Sequence, residues 1–301
     1  MQNPLATWVL ILICSSVAAA GHADTPQGHI IIETKTGSIN WSRGVVEARG
    51  KAIPPDSFQG NQQGRSMAVQ DAVSAAQMNI IKTIEAIRIN ADSQISDVLR
   101  GNDEIAKKLQ DMIQEAKITN QKFLTDGTVE VTVQLSLYGG FSQLLLPADI
   151  KQIESIKAVP SKKAAAKKAT GTDQDSVPKT TSFTGIVVDA RGIGLIPSLS
   201  PRILDENGRE VFGAAFASRE FAVQNGMVGY TTDLQTASSD PRVADKPLLI
   251  KGLKTKGLNH CDIVVSISDA NKLRGHFDHL CFLKRCAVVI VSDPSGPPPQ
   301  G

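Results

Sequence analysis

The period of the apolar residues changes abruptly within the first half of the chain. Between positions 66 and 90, Val69, Val73, Ala76, Ile80, Ile84 and Ile87 recur at steps of three and four, the repeat of one helix face. From position 129, Val129, Val131, Val133, Leu135 and Leu137 alternate with Glu130, Thr132, Gln134 and Ser136. A strict period of two belongs to a strand with one buried and one wet face, hence to an antiparallel sheet. A one-sided sheet and an amphipathic helix each carry an apolar face, and packing one on the other buries both. Residues 24–156 are therefore expected to form an α+β domain with helices on one face of an antiparallel sheet.

Local signals fill in this layer. Ala68, Ala72 and Ala75 allow another element to approach the long helix closely. Asn102 is a helix cap, with Asp103 and Glu104 at the positive end of a second helix, whose buried face is Ile105, Leu109 and Met112. Asp126-Gly127 is expected to close a two-residue hairpin between residues 117–124 and the alternating strand. Upstream, His29-Ile-Ile-Ile-Glu-Thr34 and residues 40–48 read as strands around a turn at Thr36-Gly37-Ser38. Pro54-Pro55 stops the second of them, because proline cannot donate to a ladder.

The strand Val45-Val-Glu-Ala-Arg-Gly-Lys-Ala52, the Ala-rich helix over residues 65–90 and the strand over residues 129–137 together resemble the N-terminal domain of the flagellar assembly protein T family. That domain is shared with a family of small outer-membrane lipoproteins, and the resemblance covers about a third of the chain. It implies an exported envelope protein with a scaffold or assembly role. The flagellar members form a ring around the basal body in the periplasm. The family has no catalytic residues to carry over.

The N-terminus agrees with export. Residues 5–20 carry no charge, and the apolar stretch from Trp8 to Ile13 passes into small residues with cleavage points after Ala20 and Ala23. Residues 1–23 are read as a signal peptide. Ser15-Ser16 dilutes the stretch before it reaches the ~20 residues of a membrane span. Ile13 before Cys14 breaks the small-residue rule for a lipidated cysteine. The expected location is periplasmic or outer-membrane associated.

A net charge of +2 and 4% aromatic content argue against nucleic acid as a partner, which calls for a basic face with stacking rings. The basic excess lies in residues 157–182, a Lys/Ala-rich linker bracketed by Pro160 and Pro178. Its plain role is a tether. Lys162, Lys163, Lys167 and Lys168 would also suit weak contact with anionic membranes.

Residues 183–293 read as a mixed α/β domain, followed by a Pro-rich tail at 294–301. Gly185-Ile-Val-Val-Asp189, Cys261-Asp-Ile-Val-Val-Ser-Ile-Ser-Asp269 and Ala287-Val-Val-Ile-Val-Ser-Asp293 are β-branched runs fit for strands buried on both faces. Between them come a hairpin at Asn207-Gly208, a helix near residues 218–225, a strand near 248–253 and a helix from Ala270.

Two constellations there could carry chemistry. His276, His279 and Cys281 offer nitrogen and sulfur ligands for zinc, though without any Cys-x-x-Cys pair. Asp189, Asp269 and Asp293 end apolar runs; gathered at one crevice of an α/β sheet, they would hold Mg²⁺ and a phosphate. Asp after a strand is equally a turn former or cap, the simplest reading of Asp269. Cys261 and Cys286 are the expected disulfide, provided their strands are neighbours. Arg191-Gly-Ile-Gly194 echoes a dinucleotide loop, but Pro197 stands where the third glycine belongs. No nucleophile elbow, phosphate loop or His-Glu-x-x-His occurs, so no catalytic residue or cofactor is assigned. The expected function is a non-enzymatic exported scaffold or assembly factor contacting envelope proteins, flagellar or outer-membrane components among them. The rival is a periplasmic ligand- or metal-binding module, or a hydrolase, using the second domain.

Overall fold

The structure, a computed structural model, describes residues 28–58, 61–150, 183–275 and 277–294. The expected signal peptide, the linker lysines, His276 and nearly all of the tail lie outside them. Among the described residues no helix is long and apolar enough to cross a membrane.

The first layer is α+β, as its two periods require. Its strands are β1 (Ile31–Glu33), β2 (Gly37–Asn40), β3 (Val45–Ala52), β4 (Lys117–Phe123) and β5 (Val129–Ser136). They form an antiparallel sheet in the order β1-β2-β3-β5-β4. Its helices are α1 (Gln62–Glu85), α2 (Ile95–Arg100), α3 (Asp103–Gln114) and α4 (Gly140–Leu145). Helix α1 lies across β3 and β5. Val129, Val131 and Val133 are fully buried, as are Ala68, Ala72, Ala76, Ile80 and Ile84. Gly50 of β3 makes this approach possible: a Cβ there would stand 2.0 Å from the Ala72 carbonyl oxygen and 2.3 Å from the Ala76 nitrogen.

Several boundaries differ from the sequence expectation, each for a local hydrogen-bonding reason. The first two strands are three: Thr34 Oγ1 accepts from Gly37 N at 3.0 Å and turns the chain before Gly37, and a second turn over residues 41–44, with Asn40 Oδ1 accepting from Arg43 N at 3.0 Å and Gly44 at φ +62°, divides the expected second strand. Helix α1 starts a turn early, since Asn61 caps it by accepting from Gly64 N at 2.7 Å. It ends before Asn90, whose Oδ1 accepts from Asp92 N and Ser93 N in a turn of its own. Helix α3 follows its Asn102 cap as expected. Five residues separate β4 from β5; Leu124 N donates to Thr128 O at 2.8 Å, so the turn itself holds three residues, 125–127, rather than two. Only Gly127 takes a positive φ (+84°), while Asp126 Oδ1 accepts from Thr128 N.

The second layer is a mixed α/β sheet. Its elements are β6 (Gly185–Asp189), β7 (Ile203–Asp205), β8 (Glu210–Phe212), α5 (Arg219–Asn225), β9 (Gly229–Thr231), α6 (Leu234–Ser238), β10 (Pro247–Lys256), β11 (Asp262–Val265), α7 (Ile267–Arg274), α8 (Phe277–Lys284) and β12 (Val288–Val291). The order is β8-β7-β11-β10-β6-β12-β9. Strands β10, β6, β12 and β9 are parallel, and β11 runs antiparallel to β10. Alternate residues of β6 and β12 serve opposite faces. Val187, Val289 and Val291 pack with Ala237 of α6, whereas Ile186, Val188 and Ile290 join the main core.

That main core is continuous between the layers, running from Val46 and Ile84 to Val188 and Ile290. The seam also carries backbone bonds, Leu199 N to Arg88 O at 3.0 Å and Gly139 N to Val223 O at 2.8 Å among them. Trp41 meets Tyr230 edge to face, with ring centroids 5.5 Å apart. The Tyr230 hydroxyl accepts from Ser198 N and donates to Ser198 O, and full burial pushes its pKa up, consistent with a neutral phenol.

Candidate functional site

The parallel run of β6, β12 and β9 brings three strand ends to one edge, where open α/β sheets place their ligands. Val291 of β12 is in register with both Asp189 of β6 and Thr231 of β9. Asp189 therefore ends β6 beside Asp293, as the sequence suggests. The third carboxylate is Asp233, which caps α6 by accepting from Thr236 N at 2.6 Å. It went unnoticed in the sequence because β9 is only Gly-Tyr-Thr, with no apolar run to mark a strand end.

Asp269 does not belong to this group. Strand β11 runs opposite to β10, so its C-terminal end lies at the other edge of the sheet. Nor is Asp269 the cap of α7. Ser266 is the cap, its Oγ accepting from Asp269 N at 3.0 Å, and Asp269 in turn accepts from Lys272 at 2.7 Å.

The crevice is occupied by the chain's own cation. Arg191 donates through Nε and Nη2 to both oxygens of Asp189, each at 2.7 Å, while Asp293 Oδ2 accepts from Gly192 N at 2.9 Å. Hydrogen bonding from Arg191 lowers the Asp189 pKa against the opposing effect of burial. The Thr236 amide does the same for Asp233. Asp189 raises the Arg191 pKa, with Asp233 and Asp293 adding to it. A hard cation needs free carboxylate oxygens, so Mg²⁺ would have to displace Arg191. Gly192 and Gly194, at φ +77° and +68°, make the turn that folds Arg191 back onto Asp189.

The sulfur and imidazole candidates do not converge. His279 is buried between Phe183 and Phe282, at 5.5 and 5.4 Å between centroids. Its Nδ1 lies 3.1 Å from Leu273 O, and its Nε2 accepts from Phe183 N at 3.4 Å. Both nitrogens thus hold core groups, whereas Cys281 is exposed. Among the described residues no group of three or more His, Cys, Asp or Glu side chains is arranged to hold a metal ion.

The expected Cys261–Cys286 bridge is not formed. Both thiols are free and buried, because β10 and β6 stand between β11 and β12. Burial pushes the Cys261 and Cys286 thiols up to about 12, leaving on the order of one thiolate in 10⁴ at pH 8. A thiol reagent at that pH is expected to label Cys281 alone among these three in the native protein, and all three after unfolding. Rapid native labelling of Cys261 or Cys286, read by peptide mass spectrometry, would contradict this placement.

Sequence reasoning also missed two buried carboxylates. Burial raises the Asp205 pKa, but hydrogen bonds from Arg274 and Arg209 overcome it and hold the carboxyl at about 2. Asp262 receives the side chain and backbone N–H of Arg202. Both carboxylates tie strand ends together, and an isolated Asp in a sequence carries no mark of that role.

No curated protein matches the chain. A family model described as the second domain of Treponema pallidum Tp0624 matches residues 185–294, the second layer from β6 to just past β12. This part of the chain is thus similar to a bacterial domain family.

Proposed function

We propose that this protein is an exported, non-catalytic envelope component that works through protein–protein contacts. The observation that carries the reading is how its reactive groups are employed. Asp189 is neutralised by Arg191, His279 holds core groups through both nitrogens, and Cys261 and Cys286 are buried as thiols. Strand β4, by contrast, is open to a partner. Among the described residues it is an edge strand with every residue exposed, including Ile118 at 47% and Phe123 at 58%. Its free edge suits an added strand, and Lys117 and Lys122 favour an acidic one.

In the finer form of the proposal the partner belongs to flagellar or outer-membrane assembly, residues 1–23 are removed on export, and the linker lysines tether the protein near anionic lipid. A photo-crosslinking residue at position 123, in cells of the source organism, is expected to give an adduct with an envelope protein. The same group at Leu258, 90% exposed, serves as the control and is expected to give none. Equal yields from both positions, or recovery of the protein in the cytoplasmic fraction with residues 1–23 intact, would refute the reading.

A further inference from the structure

The seam between the layers opens into a cleft of about 450 Å³. Ser42 and Tyr138 line it from the first layer, and Phe221, Asn225, Arg242 and Arg285 from the second. We propose that this cleft binds a small organic oxyanion, a carboxylate or phosphate ester carrying a flat apolar body. Its volume and its position between layers are those of small-molecule sites, and its lining divides into a cationic end and an aromatic wall.

Arg242 is a fixed cation. Its Nη1 donates to Gly226 O at 3.0 Å and to Cys286 O at 3.1 Å, and its Nη2 donates to Asn225 O. A guanidinium has five N–H donors, so the Nε–H and one Nη2–H have no acceptor among the described residues. Nε and Nη2 are the two atoms through which Arg191 holds Asp189 in this same molecule. Gly229 keeps this pair uncovered, since a Cβ there would come within 3.3 Å of the Arg242 Nε. The backbone bonds remove the rotamer entropy that an arginine otherwise loses on binding an anion.

Arg285 supplies a second, exposed charge. It makes no ion pair among the described residues. Asp240 is the one acidic residue lining the cleft among the described residues; its Oδ1 accepts from Arg242 N at 2.8 Å. One carboxylate against two guanidinium groups leaves the cleft net positive, as an oxyanion requires.

Tyr138 forms a rigid part of the wall. Its ring lies over two glycines, one from each layer. A Cβ on Gly44 would fall 2.2 Å from its Cζ, and one on Gly226 would fall 2.9 Å from its Cε1. Burial pushes its hydroxyl above the ordinary phenol range while Arg242 opposes this, so the group stays a neutral donor. A ring held this way offers a flat apolar surface at little entropic cost.

The test is isothermal titration of the full chain with phenyl phosphate, inorganic phosphate and benzyl alcohol. Phenyl phosphate is expected to bind with a Kd below about 1 mM. Inorganic phosphate is expected to bind about tenfold more weakly, and benzyl alcohol not measurably, because each lacks half of the recognised chemistry. Arg285→Gln, at an exposed side chain, is expected to weaken phenyl phosphate about tenfold, or ~1.4 kcal/mol, with an unchanged melting temperature. Arg285→Lys should restore part of the loss. No heat from phenyl phosphate, equal affinity for inorganic phosphate, or an unchanged Kd in Arg285→Gln would each overturn the proposal.

Discussion

Gly50→Ala is expected to destabilise the protein by about 3 kcal/mol, although alanine is the better residue for a strand interior. Intrinsic preference favours the substitution by about 0.5–1 kcal/mol, so the sign of the result separates propensity from packing. The new Cβ would meet the Ala72 carbonyl oxygen at 2.0 Å and the Ala76 nitrogen at 2.3 Å. Both obstacles are helix backbone, so no rotamer change can relieve them. Helix α1 would have to lift from β3, parting Ala72, Ala76 and Ile80 from Val46 and Val131 in the shared core. Urea unfolding reads the effect as a lower midpoint at unchanged slope. Gly101→Ala is the control, because the nearest atom to its Cβ would be 3.9 Å away and the expected change is within about 0.5 kcal/mol. Equal stability of Gly50→Ala and wild type would show that α1 does not rest on β3 as described.

That close approach also shows how far the sequence reaches. The alternation of Val129, Val131 and Val133 and the Ala-rich helix repeat specify a helix on an antiparallel sheet, and both faces are buried accordingly. The face that helix α1 buries is nevertheless shifted. The expected stripe includes Val69 and Val73, which are only partly buried, whereas Ala68 and Ala72 are fully so. Apolarity picks out the larger residue, but the side facing Gly50 needs the smaller one. The small residues Ala68 and Ala72 mark that side in the sequence and are buried as expected, but that Gly50 is the residue they meet belongs to the pair of elements and cannot be read from either alone.

The candidate crevice was half legible for a related reason. Asp189 and Asp293 close apolar runs that are strands buried on both faces, so their common edge follows once those strands are neighbours. Run length and β-branching say nothing of strand direction. Asp269 was misplaced for that reason, because β11 is reversed relative to β10. Strand order is equally invisible locally, and two strands, β10 and β6, separate those of Cys261 and Cys286. Arg191 was read as part of a glycine loop rather than as the counter-ion of Asp189, a pairing that depends on the positive φ of Gly192.

The second large effect is expected at Arg202. The Asp262 carboxylate is wholly buried, and Arg202 supplies every hydrogen bond it receives from the described residues. Its backbone N–H donates to Oδ1 at 3.1 Å, and its Nε and Nη2 donate to Oδ2 at 2.9 and 2.6 Å. Asp92 lies 3.6 Å from the same guanidinium but is 71% exposed, so screening leaves that contact little weight. Arg202→Met retains much of the side-chain volume and leaves Asp262 with one backbone donor. Removing one partner of a fully buried pair costs about 3–5 kcal/mol; the Arg202 side chain is 39% exposed and one amide remains, which places this case near 3 kcal/mol. Replacing both partners by apolar residues is often close to neutral, since no charge is then left buried. Arg202→Met with Asp262→Leu is therefore expected to be more stable than Arg202→Met alone by about 2 kcal/mol. Chemical denaturation of the four members of this double-mutant cycle measures the coupling. If Arg202→Met and the double mutant unfold at the same midpoint, the loss comes from packing around β7 rather than from a stranded carboxylate, and the assignment of Arg202 as the counter-ion of Asp262 fails.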